Sequence, residues 1–102
     1  MDTENAYQIA AYQLAQNAAS NDAYPRAHPR CVDLFNLLRI EPASVVAIAG
    51  ALNTSIDQVN KHLIDLAWFL MAYSNLRLYR SKAGIDERRA YVYAIRLLAT
   101  SY

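Results

Sequence analysis

The chain has 102 residues, which is an ordinary length for one domain and too short for two conventional ones. Hydrophobic residues make up 55% and charged residues 19%, a composition that excludes a disordered chain and leaves apolar surface for self-association. The formal net charge of +1 supplies no general attraction to nucleic acid, so any such binding has to be local.

Compartment and membrane signals are few. The N-terminal residues 1–5 are acidic and polar and are not followed by a long apolar run, so they do not resemble a secretory signal. Cys31 is the sole cysteine, which excludes an intrachain disulfide and fits a reducing compartment. The most apolar window, residues 63–73, is too short to cross a bilayer, which takes about 20 residues. We therefore predict a cytoplasmic protein with no membrane partner.

The first predicted helix begins at Asp2 or Thr3 and runs to about Ala19, before a polar turn and two prolines. Helical spacing predicts that its buried stripe consists of Tyr7, Ala11, Leu14 and Ala18. On nearly the opposite side lies a second apolar patch, formed by Ile9 and Tyr12. This patch could meet a partner chain or be buried within the monomer.

A stiff loop over residues 20–30 leads to a short second helix that ends near Ile40, because Glu41-Pro42 breaks it. Pro29 suits the first turn of that helix. Four apolar residues are predicted to share one of its faces: Cys31, Leu34, Phe35 and Leu38.

A third helix is predicted over about residues 43–52, followed by a polar turn in which Ser55 is the N-cap of a fourth helix. The fourth helix has the strongest periodic signal in the chain, a stripe of Val59, Leu63, Leu66, Leu70 and Tyr73. Its opposite face is polar over the first two turns and then shows Ile64 and Trp68. We expect its start to be solvated and its C-terminal half to be buried on most sides.

Two interpretations fit the last third of the chain. In the first, helix continues to Ala83, Gly84 supplies a left-handed C-cap, and Asp86 caps a last helix to about Thr100. In the second, residues 75–81 and 89–95 alternate as two strands of a β wing. The stop and start signals around Gly84 favour the first. The predicted fold is therefore an all-α, compact five-helix single domain over residues 1–102; the alternative is a winged helix with a β hairpin at about 75–95.

The segment of about residues 43–66, which contains the run IAGALNTSIDQVNKHLIDL at 48–66, resembles the helix-turn-helix of bacterial transcription regulators, including winged-helix repressors. Small Ala49 lets two helices approach, while Leu52 and Val59 fill the wedge between them. Asn53 stands where the family usually has glycine, and asparagine tolerates a left-handed backbone better than most residues.

The resemblance implies that the helix after Ser55 enters the major groove of DNA. Its predicted base-reading residues are Ser55, Gln58, Asn60 and Lys61, whose side chains can bond base edges or phosphate. Auxiliary phosphate contacts are expected from Arg77, Arg80, Lys82, Arg88 and Arg89, unless these form an ordinary solvated basic surface. Apolar Ile56 and acidic Asp57 oppose this role.

Enzyme and metal chemistry have weaker support. His28 and Cys31 have a ligand-like spacing, but His62 is the only other histidine and no second cysteine exists, so no zinc site or other cofactor is predicted. His62 and Asp65 fall one helical turn apart, a spacing more typical of a local helix contact than of acid-base catalysis. We predict a protein that is not an enzyme.

The eight tyrosines indicate an interface, because tyrosine buries a large ring while keeping a polar tip. On a helix Tyr91 and Tyr93 point in different directions, so we expect a partner surface there as well as at Ile9 and Tyr12. The resulting hypothesis is a homodimeric helix-turn-helix DNA-binding regulator of transcription. The alternative is a non-enzymatic inhibitor or anti-activator that uses the helical fold as a scaffold to bind a protein target.

Overall fold

The computed structural model of the chain describes residues 3–23, 26–85 and 90–98. These residues form four helices, α1 (Thr3–Ala19), α2 (Arg30–Ile40), α3 (Val45–Leu52) and α4 (Ile56–Tyr73), and three strands, β1 (Ala43–Ser44), β2 (Leu76–Ile85) and β3 (Tyr91–Leu97). The fold is therefore mixed helix and sheet, and the prediction of an all-α five-helix domain is wrong.

The three strands form one antiparallel sheet in the order β1-β3-β2. Strand β3 lies in the middle, with Ala43 of β1 opposite Tyr93 and with Leu78 of β2 opposite Ile95. The β2–β3 hairpin occupies the region in which the alternative interpretation placed its wing, with bounds a few residues later. The proposed helix cap at Asp86 lies outside the described residues.

The helical interpretation of this region failed because packing against the core decided the local conformation. Leu76 and Leu78 on β2 face the same side of the sheet as Ile95 and Leu97 on β3, and the register places them directly opposite one another. Leu76 is fully buried and Ile95 is 3% exposed. A helix over the same residues would turn alternate apolar positions to different sides. Only paired strands place all four of these apolar side chains against the core.

The helices begin and end where the local sequence provides caps. Ser44 and Ser55 are the N-caps of α3 and α4, each accepting a backbone N–H bond through its hydroxyl. Asn53 ends α3 in the left-handed region, at φ 52° and ψ 53°, and its amide bonds the carbonyls of Ala49 and Gly50. The predicted cap at Ser55 is confirmed, and the turn from α3 to α4 has the left-handed residue expected of asparagine.

The core lies between the four helices and the inner face of the sheet. The predicted stripes of α2 and α4 are buried, except that Tyr73 is 50% exposed. In α1 the buried side is rotated slightly from the prediction, to Ala6, Ala10, Leu14 and Ala18, with Tyr7 and Ala11 at its edge. The Tyr7 hydroxyl donates a hydrogen bond to the carbonyl of Ile95, which fastens α1 to β3. Within the described residues, no helix is both long and apolar enough to cross a membrane.

Candidate nucleic-acid interface

The first two turns of α4 are open to solvent. Ser55 Oγ accepts a hydrogen bond from the Gln58 amide at 3.2 Å, so this hydroxyl is engaged in capping and retains its own proton to donate. Gln58, Asn60 and Lys61 are all exposed. The unpaired N–H groups of the first turn add partial positive charge at this end of the helix. The structure thus brings the four predicted base-reading residues to one exposed helix start.

These four residues do not share one face. Positions two apart in a helix are separated by about 200°, so Gln58 and Asn60 lie on nearly opposite flanks. Val59 and Leu63 are buried, and the residues two positions from them, Asp57 and Lys61, therefore point most directly outward. A carboxylate and an ammonium stand at the centre of this surface, with Asn60 on one flank and Gln58 on the other.

A positive group beside α4 was missed by the sequence analysis. Arg30, at the start of α2, is half-buried, and its guanidinium donates a hydrogen bond to the Leu52 carbonyl at 3.1 Å, where α3 ends. Burial lowers the pKa of His62 in the second turn of α4, and nearby His28, Arg30 and Lys61 lower it further. Arg30 and Lys61 therefore both place positive charge near the start of α4. Their 31-residue separation in sequence gave no signal of this proximity.

The predicted phosphate-contacting arginines of the hairpin have different environments. Arg77 is half-buried and donates to the carbonyls of Leu70 at 3.1 Å, Ser74 at 2.8 Å and Leu76 at 2.7 Å, so it caps the C-terminal end of α4. Arg80 is exposed, with its guanidinium carbon 4.4 Å from the centroid of the Tyr91 ring. Arg88 and Arg89 and the side chain of Lys82 lie outside the described residues.

Arg96 was not among the predicted contacts, yet it is exposed on the outer face of the sheet. It lies directly opposite Arg77 across the β2–β3 pair. Two like charges in direct register are unfavourable unless one of them is engaged elsewhere, and Arg77 is engaged at the end of α4. The alternation of residues 91–97, taken as a strand, is the signal that would have placed Arg96 on this outer face.

The predicted interface residues fall on two separate surfaces. On α1, Ile9 is 46% and Tyr12 is 65% exposed, and Ile9 lines an open groove of about 360 Å³ together with Tyr73 at the end of α4. On β3, Tyr91 is 37% exposed, whereas Tyr93 is half-buried against the core. Because these two tyrosines are on a strand, they face the same side of it rather than different sides of a helix.

Beyond its polar start, α4 carries exposed apolar side chains on its outer side, together with the exposed carboxylate of Asp65. Ile64 is 70% and Met71 is 63% exposed, so the prediction that the C-terminal half of α4 is buried on most sides is wrong. The sheet packs at the far end of α4 and does not cover this face. Ile56, at the first position of the helix, is also 48% exposed. Exposed apolar side chains along one helix are typical of a surface that contacts another protein.

His62 and Asp65 do not form the paired arrangement that orients an imidazole for acid-base chemistry. Within the described residues, the structure contains no hydrogen bond or ion pair between them, and Asp65 is exposed. Comparisons of the chain with known protein families, with curated proteins and with solved structures find no match.

Proposed function

We propose that this protein is a small helix-turn-helix regulator of transcription that binds DNA through the start of α4. The observation that carries the proposal is the geometry of the α3–α4 unit. A left-handed turn at Asn53 and a Ser55 cap present two solvent-exposed turns of a helix that is anchored on its other side by Val59 and Leu63. This is the presentation that major-groove recognition requires.

The hairpin after α4 supports the same proposal. The sequence of about residues 43–66 resembles the helix-turn-helix of regulators that include winged-helix repressors, and in winged-helix repressors a β wing follows the second helix of the motif. The described part of this chain places β2 and β3 there, with β1 completing the sheet. Arg80 and Arg96 are exposed on the hairpin and are available for phosphate contacts.

The charge distribution determines how strong the binding can be. With a net charge of +1, attraction to DNA depends on a few local groups, chiefly Lys61, Arg30 and Arg80, and Asp57 opposes it. Three phosphate contacts would give a slope of about −2.7 in a plot of log affinity against log salt concentration. We therefore expect modest affinity and a shallow salt dependence compared with strongly basic repressors.

Action as a homodimer in the cytoplasm belongs to this proposal. The exposed patch of Ile9 and Tyr12 beside the groove at Tyr73 is the surface that we assign to the second copy. Tyrosine-rich, partly apolar surfaces of this kind are enriched at interfaces. Sedimentation of the wild type and of an Ile9→Lys, Tyr12→Lys variant tests the assignment, which requires the variant to be a monomer and the wild type a dimer.

The test of DNA binding is selection of duplexes from a random library, followed by affinity measurements at several salt concentrations. An Asn60→Ala, Lys61→Ala variant should lose at least about tenfold in affinity and reduce the salt slope by about 1. The matched control is Asn36→Ala, Arg39→Ala on α2, which also removes one asparagine and one basic residue, at a site where Arg39 pairs with Glu4. The proposal fails if the wild type selects no duplex or if the two variants bind equally.

The apolar outer face of α4 favours a second candidate, an inhibitor or anti-activator that binds a protein target. Ile64 and Met71 lie along this face, and a helix can contribute such residues to a groove on another protein. An Ile64→Lys, Met71→Lys variant should then lose a stoichiometric protein partner while its fold, followed by circular dichroism, is retained. Recovery of that partner equally by both proteins would exclude this candidate.

A further inference from the structure

Metal-ligating side chains from two separate parts of the chain meet beneath the second and third turns of α4. Cys31, in the first turn of α2, supplies a sulfur, while His62 and Asp65, one turn apart on α4, supply an imidazole and a carboxylate. One ligand atom from each lies within 4.8 Å of the other two. The packing of α2 on α4 creates this cluster, since Cys31 and His62 are 31 residues apart.

The hydrogen bonding of the cluster is incomplete. His62 is 5% exposed, yet neither of its ring nitrogens hydrogen bonds to another residue in the described part of the chain. These nitrogens reach solvent, because the described part of the chain has no side-chain nitrogen or oxygen that is both buried and without a hydrogen-bond partner. The Cys31 thiol is fully buried and contacts the His62 carbonyl at 3.5 Å, an ordinary core environment for cysteine. Core packing therefore accounts for Cys31, while the ring nitrogens of His62 are open to a ligand.

A second imidazole stands beside the first. The rings of His28 and His62 have centroids 4.5 Å apart and are inclined by 31°. The Nδ1 atom of His28 accepts a hydrogen bond from the Arg30 amide at 3.0 Å, which fixes this ring and leaves its Nε2 as the atom able to bind a ligand. A zinc site does not need a second cysteine, because one cysteine, two histidines and one aspartate also supply four ligand atoms.

We propose that Cys31, His62 and Asp65 bind a divalent metal ion of borderline softness, best represented by Zn²⁺, with His28 as the fourth ligand. In a tetrahedral zinc site, metal–ligand distances of 2.0–2.3 Å separate neighbouring ligand atoms by about 3.3–3.6 Å. Atoms 4.8 Å apart therefore have to approach by about 1.2–1.5 Å, which side-chain rotation of exposed Asp65 can supply in part. His28 lies outside the group of three and has to move closer as well. One thiolate and one carboxylate balance the charge of the ion. The metal would join the start of α2 to α4 directly behind Asn60 and Lys61.

The test uses the full-length protein, freed of metal by a chelator and titrated with Co²⁺, whose d–d absorption reports coordination geometry. We expect one ion per chain, a tetrahedral spectrum, and a thiolate-to-cobalt charge-transfer band that Cys31→Ala abolishes. The band has only one possible source because Cys31 is the sole cysteine. Zn²⁺ should displace the Co²⁺ and raise the melting temperature of the wild type.

Variants of exposed carboxylates keep the test independent of folding. Asp65→Asn should weaken Co²⁺ binding at least about tenfold, while Asp57→Asn, an exposed carboxylate two turns earlier on the same helix, should leave it unchanged. His28→Ala should also weaken binding, and an unchanged spectrum would exclude His28 as the fourth ligand. The proposal is overturned if Co²⁺ binds without the charge-transfer band or if Asp65→Asn and Asp57→Asn bind equally. None of these measurements uses DNA, so the result is independent of the proposed function.

Discussion

Arg77 and Arg96 lie directly opposite each other on the outer face of the β2–β3 hairpin, but only Arg77 bonds backbone carbonyls. We predict that Arg77→Ala destabilises the fold and leaves the DNA affinity of the folded protein unchanged. The Nη1 atom of Arg77 is shared among three carbonyl oxygens at the end of α4, so the contribution is less than that of three separate hydrogen bonds. A hydrogen bond from a charged group contributes about 1.5–3 kcal/mol to stability. A positive charge near a helix C-terminus contributes about 0.3–1 kcal/mol.

Because Arg77 is half-buried, water can reach part of the vacated site, and we take about 2 kcal/mol as the total loss. With a urea m value of about 1.5 kcal/mol/M, the midpoint of unfolding should fall by about 1.3 M. Arg96→Ala removes the same charge from an exposed position and should change the stability by less than about 0.5 kcal/mol.

Urea denaturation followed by circular dichroism measures both stabilities, and fluorescence anisotropy at low denaturant measures DNA affinity. The reasoning is refuted if the two variants have equal urea midpoints. It is also refuted if Arg77→Ala weakens DNA binding more than Arg96→Ala does, because Arg77 would then contact phosphate rather than cap α4.

Three further predictions concern the scaffold. Gly50→Ala should stabilise the fold by about 0.5–1 kcal/mol, because Gly50 is exposed within α3 and an added Cβ meets no atom within 4 Å; a lower urea midpoint would contradict this. Tyr7→Phe should destabilise it by about 1 kcal/mol through loss of the hydrogen bond to Ile95, and an unchanged midpoint would show that this bond contributes nothing. Burial, with Asp65 nearby, raises the pKa of the Cys31 thiol from 9.0 to about 12. The unfolded chain therefore loses this proton first, so the stability of chelator-treated protein should decline as pH rises above 9, and Cys31→Ala should remove that part of the decline.

Helix starts and buried stripes were predictable because they depend on neighbouring residues. Ser55 precedes a long apolar periodicity, and the structure gives it the expected capping bond. The stripe from Val59 to Leu70 is buried as its spacing requires. In these elements the local propensity and the tertiary packing agree.

The hairpin could not be assigned from the sequence because two local patterns competed over the same residues. Gly84 and Asp86 resemble helix stop and start signals, while the sequence of residues 75–81 and 89–95 alternates as two strands would. The strand conformation is stabilised by pairing between Leu78 and Ile95, which are 17 residues apart, and local propensity does not reflect such a long-range contact.

The candidate sites likewise contain some residues that local sequence signals indicate and others that only tertiary packing brings together. Asn60 and Lys61 could be proposed from the sequence because they follow a recognisable cap, whereas the approach of Arg30 and of Cys31 to His62 depends on how α2 packs against α4. Helix packing geometry of this kind is set by whole faces rather than by a motif. The same applies to the exposed face at Ile64, which depends on where the sheet lies.

The central claim is that the start of α4 binds DNA, and the most direct measurement is the salt dependence of affinity for a selected duplex. The account predicts a slope near −2.7 for the wild type, reduced by about 1 in the Asn60→Ala, Lys61→Ala variant and unchanged in the Asn36→Ala, Arg39→Ala control. An absence of salt-dependent affinity for any selected duplex, or an equal slope in all three proteins, would contradict it.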